Sequence, residues 1–281
     1  MASQGFRLAP SRLAALLSIA DAGARAAVRA SVVATVLTAV LAAYVAPAQA
    51  GPPFATDDPE PVERGGWEVN YALTGVRYHG GSTGFAPQVD ANYGIGTGIQ
   101  LHIQPQMAYA TAPGSGSYGL GDTELGLKVR LTAAPSSDSD HDNGWMVSVY
   151  PLYEIPTGTA SRGLGGGASS AYLPIWFQRT IGGWTTYGGG GYWINAGAGR
   201  RNAWAGGWVA LYQWTDRLQL GCELYAETAD SVGGQGSSRF NLGGSYALSK
   251  DYGLLFSVGR GIGAPASTEQ FAYYLGLQVI Y

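Results

Sequence analysis

Histidine, serine and paired carboxylates are the side chains from which a hydrolytic site would be built, and this chain has only three histidines: His79, His102 and His141. A histidine serving a serine nucleophile two positions on, with an asparagine next to it, would be the signature of lipid hydrolysis in a membrane protein. After His102 the chain reads Ile103, Gln104, Pro105, Gln106, so that arrangement is absent. His79 stands in a glycine-rich stretch and His141 in an acidic one, each without a serine partner suggested by the sequence. The segment "SDSDHDN" offers Asp138, Asp140, His141 and Asp142 as oxygen and nitrogen ligands. It lacks the glycine and the closing glutamate of a calcium loop, so we read a solvated acidic turn and expect no metal. "YGGGGYW" is followed by no Lys-Ser or Lys-Thr pair and is not a phosphate loop. Neither a cofactor nor catalysis is expected.

The remaining polar residues fall into a pattern. In "DTELGLKVRL", Glu124, Lys128 and Arg130 alternate with Leu125, Leu127, Val129 and Leu131, and Asp122 shares the polar face. Strict alternation is the signature of a strand with two unlike faces. "WEVNYALTG" sets Glu68 and Asn70 against Trp67, Val69, Tyr71 and Leu73. "FAPQVDANY" sets Gln88, Asp90 and Asn92 against Phe85, Val89, Ala91 and Tyr93. "IQLHIQPQMAY" sets Gln100, His102, Gln104 and Gln106 against Ile99, Leu101, Ile103, Met107 and Tyr109. Glu154 opposes Tyr153 and Ile155, and Glu223 and Glu227 oppose Leu220, Cys222 and Leu224. "LPIWFQRTI", "WTTYGGGGYWIN" and "WAGGWVALYQW" alternate too, but Trp176 and Trp193 fall on the face that is polar elsewhere, so their facing stays open. "FNLGGSYAL", "YGLLFSVGR" and "FAYYLGLQVIY" complete a set of twelve strands, and no amphipathic helix is expected after residue 50.

Charged residues make up only 12% of the chain and 46% is hydrophobic, yet no apolar run after residue 50 reaches the ~20 residues of a spanning helix. If such a chain crosses a membrane it crosses with strands, and these must close, because an unpaired backbone group in hydrocarbon costs several kcal/mol. Aromatic residues flank both ends of the aliphatic stretches: Trp67, Tyr93, Trp145, Trp184, Trp214 and Tyr281 at one end, Phe85, Tyr109, Tyr192, Trp204 and Phe271 at the other. Two aromatic girdles suit the two interfaces of a bilayer. Tight turns such as "GG" and "TD" alternate with longer stretches such as "RYHGGST", "TAPGSGS" and "TGTASRGLGGGAS", as an outer-membrane barrel requires. The expected architecture is all-β: a transmembrane antiparallel β-barrel of about twelve strands over residues 66–281, its last strand paired with its first.

Residues 1–50 read as a cleaved signal peptide, with Arg7, Arg12, Arg25 and Arg29 ahead of an apolar run and Ala48 and Ala50 in a small-residue cleavage pattern. Those four arginines and Asp21 account for the leader's charge, so of 16 basic and 19 acidic residues the remainder carries about −6. No basic patch invites nucleic acid. The lone Cys222 forms no internal disulfide and reads as a small apolar residue on a packed face. Residues 51–65, "GPPFATDDPEPVERG", are too rich in proline for a strand interior. They fold into the lumen as a plug, with Phe54, Asp57, Asp58 and Glu60 as the groups to watch, or lie in the periplasm.

The stretches "GPPFATDDPEPVERGGWEVNYA", "GLGDTELGLKVRL", "YPLYEIPTG", "LPIWFQRTIGGWTTYGGGGYW" and "TDRLQLGCELYAET" resemble the recurrent segments of the MetA-pathway of phenol degradation family, whose members are often labelled transporters. The resemblance implies a β-barrel in the outer membrane of a Gram-negative bacterium, with its termini in the periplasm, in contact with outer-membrane lipid. It also implies passage of small, aromatic or apolar, solutes. The closing strand resembles the signal read by the barrel-assembly machinery. Three functions are compatible with the sequence: a channel with the inward polar residues lining its lumen, a non-conducting structural barrel filled by its own side chains, and, third, a lipid-modifying enzyme.

Overall fold

Trp67–Tyr78 (β1) shows how the wall is made: Glu68, Asn70 and Ala72 are buried while Trp67, Tyr71 and Leu73 are exposed. Successive side chains of a strand point to opposite faces, so a polar buried face and an apolar exposed one invert the order of a water-soluble sheet. The computed structural model describes residues 52–132, 144–262 and 269–281. The predicted signal peptide, the acidic turn with Asp138, Asp140, His141 and Asp142, and Gly51 lie outside them.

Fourteen further strand segments follow: β2 (Gly81–Gly96), β3 (Ile99–Gln104), β4 (Gln106–Ala112), β5 (Ser115–Leu120), β6 (Thr123–Arg130), β7 (Met146–Val149), β8 (Leu152–Ile155), β9 (Ser170–Ile181), β10 (Trp184–Asn195), β11 (Ala203–Gln213), β12 (Leu218–Glu227), β13 (Ser237–Ala247), β14 (Tyr252–Gly261) and β15 (Phe271–Ile280). Three staves are interrupted, between β3 and β4 at Pro105, between β5 and β6 at Gly121 and Asp122, and between β7 and β8 at Tyr150 and Pro151. The fifteen segments therefore form twelve staves, each antiparallel to its neighbours. β1 pairs with β2 on one side and with β15 on the other, from Glu68 opposite Ile280 to Arg77 opposite Phe271. That last pairing closes the barrel and removes the open edge.

Leu101, Ile103, Leu173, Ile175, Leu275 and Leu277 stand exposed on the outer wall. At one rim Trp67 packs on Tyr93 (centroids 4.6 Å) and Trp184 on Tyr212 (4.9 Å); at the other Tyr192 packs on Trp204 (4.9 Å) and Phe271 on Tyr273 (6.1 Å). Such a band is stable only against hydrocarbon. Leu275→Arg, near the middle of β15, is expected to cost about 2–4 kcal/mol in a bilayer, the range for a cation at mid-depth on the lipid face of a barrel. Unfolding titrations in lipid vesicles would measure it, and a change under about 0.5 kcal/mol, typical of a water-exposed site, would contradict the assignment.

Three details differ from the sequence reading, and a fourth that it left open, the facing of Trp176 and Trp193, is resolved. Phe85 faces the lumen rather than the girdle, because the β1–β2 register shifts between Ala72 and Thr74, where Phe85 and Gln88 are the partners on β2. The extra residue reverses the alternation, so Phe85 lies opposite the inward Thr74. The stretches expected as long loops at "RYHGGST" and "TAPGSGS" are tight hairpins turning on His79-Gly80 and Pro113-Gly114. Gly80 (φ +93°) and Gly114 (φ +78°) take the left-handed conformation that lets the strands continue nearly to the turn. Trp176 is 2% exposed and turns inward, and Trp193 packs beside it. Cys222 is exposed on the outer wall rather than packed.

Candidate functional site

The described part of the proline-rich segment runs inside the cylinder. Its proline-rich part stays out of the sheet, since proline lacks an N–H and biases the preceding residue to extended conformations, so its polar groups are met by side chains of the wall, and only Arg64 and Gly65 bridge by backbone to Gly94. The Pro53 carbonyl accepts from Ser257 Oγ on β14 (2.7 Å), and the Thr56 N–H donates to Glu223 Oε1 on β12 (2.6 Å). The Pro59 carbonyl accepts from Ser148 Oγ on β7, and the Val62 N–H donates to Gln100 Oε1 on β3 (2.8 Å). Lys128 Nζ on β6 donates to Asp57 Oδ1 (3.0 Å) and lies 3.8 Å from Asp58 Oδ1 and 4.8 Å from the centre of the Tyr150 ring. Phe54 packs on Tyr187, Val209 and Leu211. At Gly207 a Cβ would stand 2.2 Å from Thr56 Oγ1, so glycine there is what lets the segment approach the wall.

Thr56 and Asp58 are 0% and 1% exposed. Burial pushes the Asp58 carboxyl well above the usual carboxylate range, against the pull of Lys128. Burial raises Glu60 as well, opposed first by its hydrogen bond with Gln178. A carboxyl whose pKa rises on docking is held most tightly while protonated. These two groups therefore favour the docked segment at low pH and progressively less as pH rises through their elevated range.

The inward polar residues of the first staves form one hydrogen-bonded web. Asn70 Nδ2 donates to Glu68 Oε1 (3.1 Å) and to Asp90 Oδ2 (3.3 Å), and Asn92 Nδ2 donates to Asp90 Oδ1 (2.7 Å). Gln100 Nε2 donates to Asn92 Oδ1 (2.6 Å), and Gln104 Nε2 to Gln106 Oε1 (3.4 Å). His102 touches a carboxylate at each ring nitrogen, Asp90 through Nδ1 (3.0 Å) and Glu124 through Nε2 (3.2 Å). Glu154 accepts from Ser170 Oγ (2.5 Å), and Glu223 takes a second hydrogen bond from Asn241 Nδ2. Gln88 lines the same interior space. Arg130 lies at the rim beside Gly98, and Glu227 stands at the far end of β12. Asp122 has another task from the one its shared face suggested. It accepts from the N–H groups of Gly158 (2.8 Å) and Gly166 (2.5 Å) and pins the long loop between β8 and β9.

Across the lumen the wall is aromatic, which the polar-inside pattern did not anticipate. Tyr150, Tyr172, Trp176 and Ala205 form a buried cluster with Leu152, Trp193 and Tyr225 against it. Tyr172 and Trp193 stack at 4.6 Å and 12°. The one sequence signal was the inward parity of Trp176 and Trp193. The glycines before Trp193 run where neighbouring backbones crowd: a Cβ at Gly191 would meet the Leu173 carbonyl at 2.3 Å, and one at Gly189 the Trp176 ring at 3.1 Å. Between the polar web, the aromatic wall and the proline-rich segment lies a cavity of about 670 Å³.

A closed antiparallel wall of twelve staves, apolar outside and polar within, defines a β-barrel of the outer-membrane type. Residues 95–277 match the family described as "Putative MetA-pathway of phenol degradation", and the chain belongs to that family. Among solved structures it is similar to an outer membrane channel from Pseudomonas putida F1, at 13% identity and a TM-score of 0.61, over 83% of this chain and 100% of that one. It is also similar to a KdgM porin in complex with disordered oligogalacturonate, at 10% identity and a TM-score of 0.51, over 75% of this chain and 98% of the porin. At these identities the likeness is one of fold. A comparison with curated proteins found no match.

Proposed function

We propose that this chain is an integral outer-membrane channel through which small solutes with aromatic or apolar bodies diffuse, and that residues 51–65 are an interior plug that narrows its lumen. The observation that carries the reading is the cavity of about 670 Å³ left inside the closed wall beside the docked segment. The similar structures, one an outer membrane channel and the other a porin, support the same class. The rim carrying Trp67 and Tyr281 would face the periplasm, with the outer wall in lipid after insertion by the barrel-assembly machinery. The reading is not enzymatic. His102 is engaged by Asp90, Asn92 and Glu124, its ring meets the Tyr150 ring edge-on, and no serine or threonine is hydrogen-bonded to it among the described residues.

A second reading, a non-conducting structural barrel, is favoured by one observation: Phe54 fills the space beside Tyr187, Val209 and Leu211 as a core residue would. Planar-bilayer recording of the refolded chain separates the two. The channel reading expects discrete current steps, and a folded, inserted chain that stays silent across the voltage range would favour the structural barrel.

A further inference from the structure

The inner ends of β3, β6, β8 and β9 bring like charges together. Gln104 lies opposite Glu124, Glu124 opposite Glu154, and Glu154 opposite Ser170. Like charges directly across a sheet destabilise it unless a positive group comes between them. His102 Nε2, 3.2 Å from Glu124, answers one of the two. Glu154 has the Ser170 hydroxyl, and no lysine or arginine among the described residues lies within ion-pair distance of it. Of the other basic groups, Lys128 is engaged by Asp57 and Asp58 and Arg239 by Glu269 at 2.8 Å, while Arg200, whose field reaches Glu154, donates to Asn195 Oδ1 (3.0 Å) and forms no ion pair with Glu154.

One rung along, Leu152 lies opposite Tyr172 and Tyr172 opposite Trp193, so the stacked aromatic pair stands beside the carboxylates on the same inner face. Trp176 packs against Tyr172 at 6.4 Å, is 2% exposed, and its indole N–H has no acceptor among the described residues. Asp58 Oδ2, on a side chain equally buried, has no donor among the described residues. Glu124, Glu154, Tyr172, Trp193, Trp176 and Asp58 all line the cavity. A buried donor or acceptor left unpaired carries its full desolvation penalty, which a ligand supplying the missing partner removes. Carboxylates beside aromatic faces suit an organic cation, attracted by both charge and ring quadrupole.

We propose that this corner of the lumen binds a small protonated amine with a flat, oxygen-bearing body: the ammonium between Glu124 and Glu154, the flat body against Tyr172 and Trp193, and the oxygen accepting from the Trp176 N–H. The inference rests on the reading of the cavity as solute-accessible and names the class of solute it selects.

The test is calorimetric titration of the refolded full chain in detergent with tyramine, with 4-ethylphenol, which lacks the amine, and with 2-phenylethylamine, which lacks the hydroxyl. Tyramine is expected to bind at least about tenfold more tightly than either analogue. Glu154→Gln is expected to weaken tyramine about tenfold and leave 4-ethylphenol unchanged. Tyramine binding no tighter than 4-ethylphenol, binding of none of the three, or equal weakening of all by Glu154→Gln would each overturn the proposal. If that variant does not fold, the three ligands on the unaltered chain still decide. Binding is read without current, so a chain that binds tyramine but never conducts loses the channel reading alone. One that conducts and ignores tyramine loses only this inference.

Discussion

A chain lacking residues 51 to 64 is expected to pass several times more current per channel than the full chain. The segment meets side chains of β3, β6, β7, β12 and β14, so it lies across the lumen rather than along one wall. Removing it vacates the volume of Phe54 and of the prolines and frees the carboxylates and hydroxyls that now hold them. The barrel does not need the segment to close, because β1 pairs with β2 and β15 from Trp67 onward. The truncated wall should therefore refold and show its usual heat-dependent migration in gels. Equal conductance with and without the segment would mean that it leaves the lumen in the bilayer, and the plug reading would fail.

Lys128→Met is expected to have the next largest effect. Lys128 is 4% exposed and is the cation that faces both Asp57 and Asp58. Truncating one partner of a buried ion pair leaves uncompensated charge and typically costs about 3–5 kcal/mol. Here the cost falls on docking, since withdrawing the segment from the wall returns Asp57 and Asp58 to water. The variant should thus resemble the truncated chain in conductance while keeping the barrel folded. Adding Asp57→Asn and Asp58→Asn should restore most of the full-chain conductance, because the charges that Lys128 balanced are then gone. A triple variant as open as the single one would show that Lys128 acts through something other than this pair.

The barrel wall was legible because its physics is local. In β1, β3 and β6 polar residues recur at every second position, broken only by small ones such as Ala72 and Gly126, and a strand's period of two sends Glu68, Asn70, Gln100, His102, Glu124 and Lys128 to one face whatever the tertiary context. Closure followed from the cost of an open edge in hydrocarbon. Phe85 was misplaced because one extra residue near Ala86 and Pro87 reverses the alternation, and alternation cannot register its own interruption. The aromatic inner wall was legible only as the interior parity of Trp176 and Trp193, and its extent at Tyr172 and Tyr187 escaped for a different reason. Those side chains face other protein groups inside the lumen, and a lumen partly filled by packing has no reason to look polar. The proline-rich segment announced only that it was no strand. Which carbonyl meets Ser148 or Ser257 depends on residues far away in the chain, and no local pattern carries that information.

The most direct test of a segment seated within the cylinder is a cross-link between Pro59→Cys and Ser148→Cys, made with Cys222→Ser so that the outer-wall thiol does not compete. The refolded chain should form this bond on mild oxidation in the presence of lipid, and its single-channel current should stay at the low full-chain level whether or not the link is formed, because the segment is already seated. A folded barrel in which the two thiols stay reduced under oxidation, or whose current drops sharply when they are linked, would contradict the account.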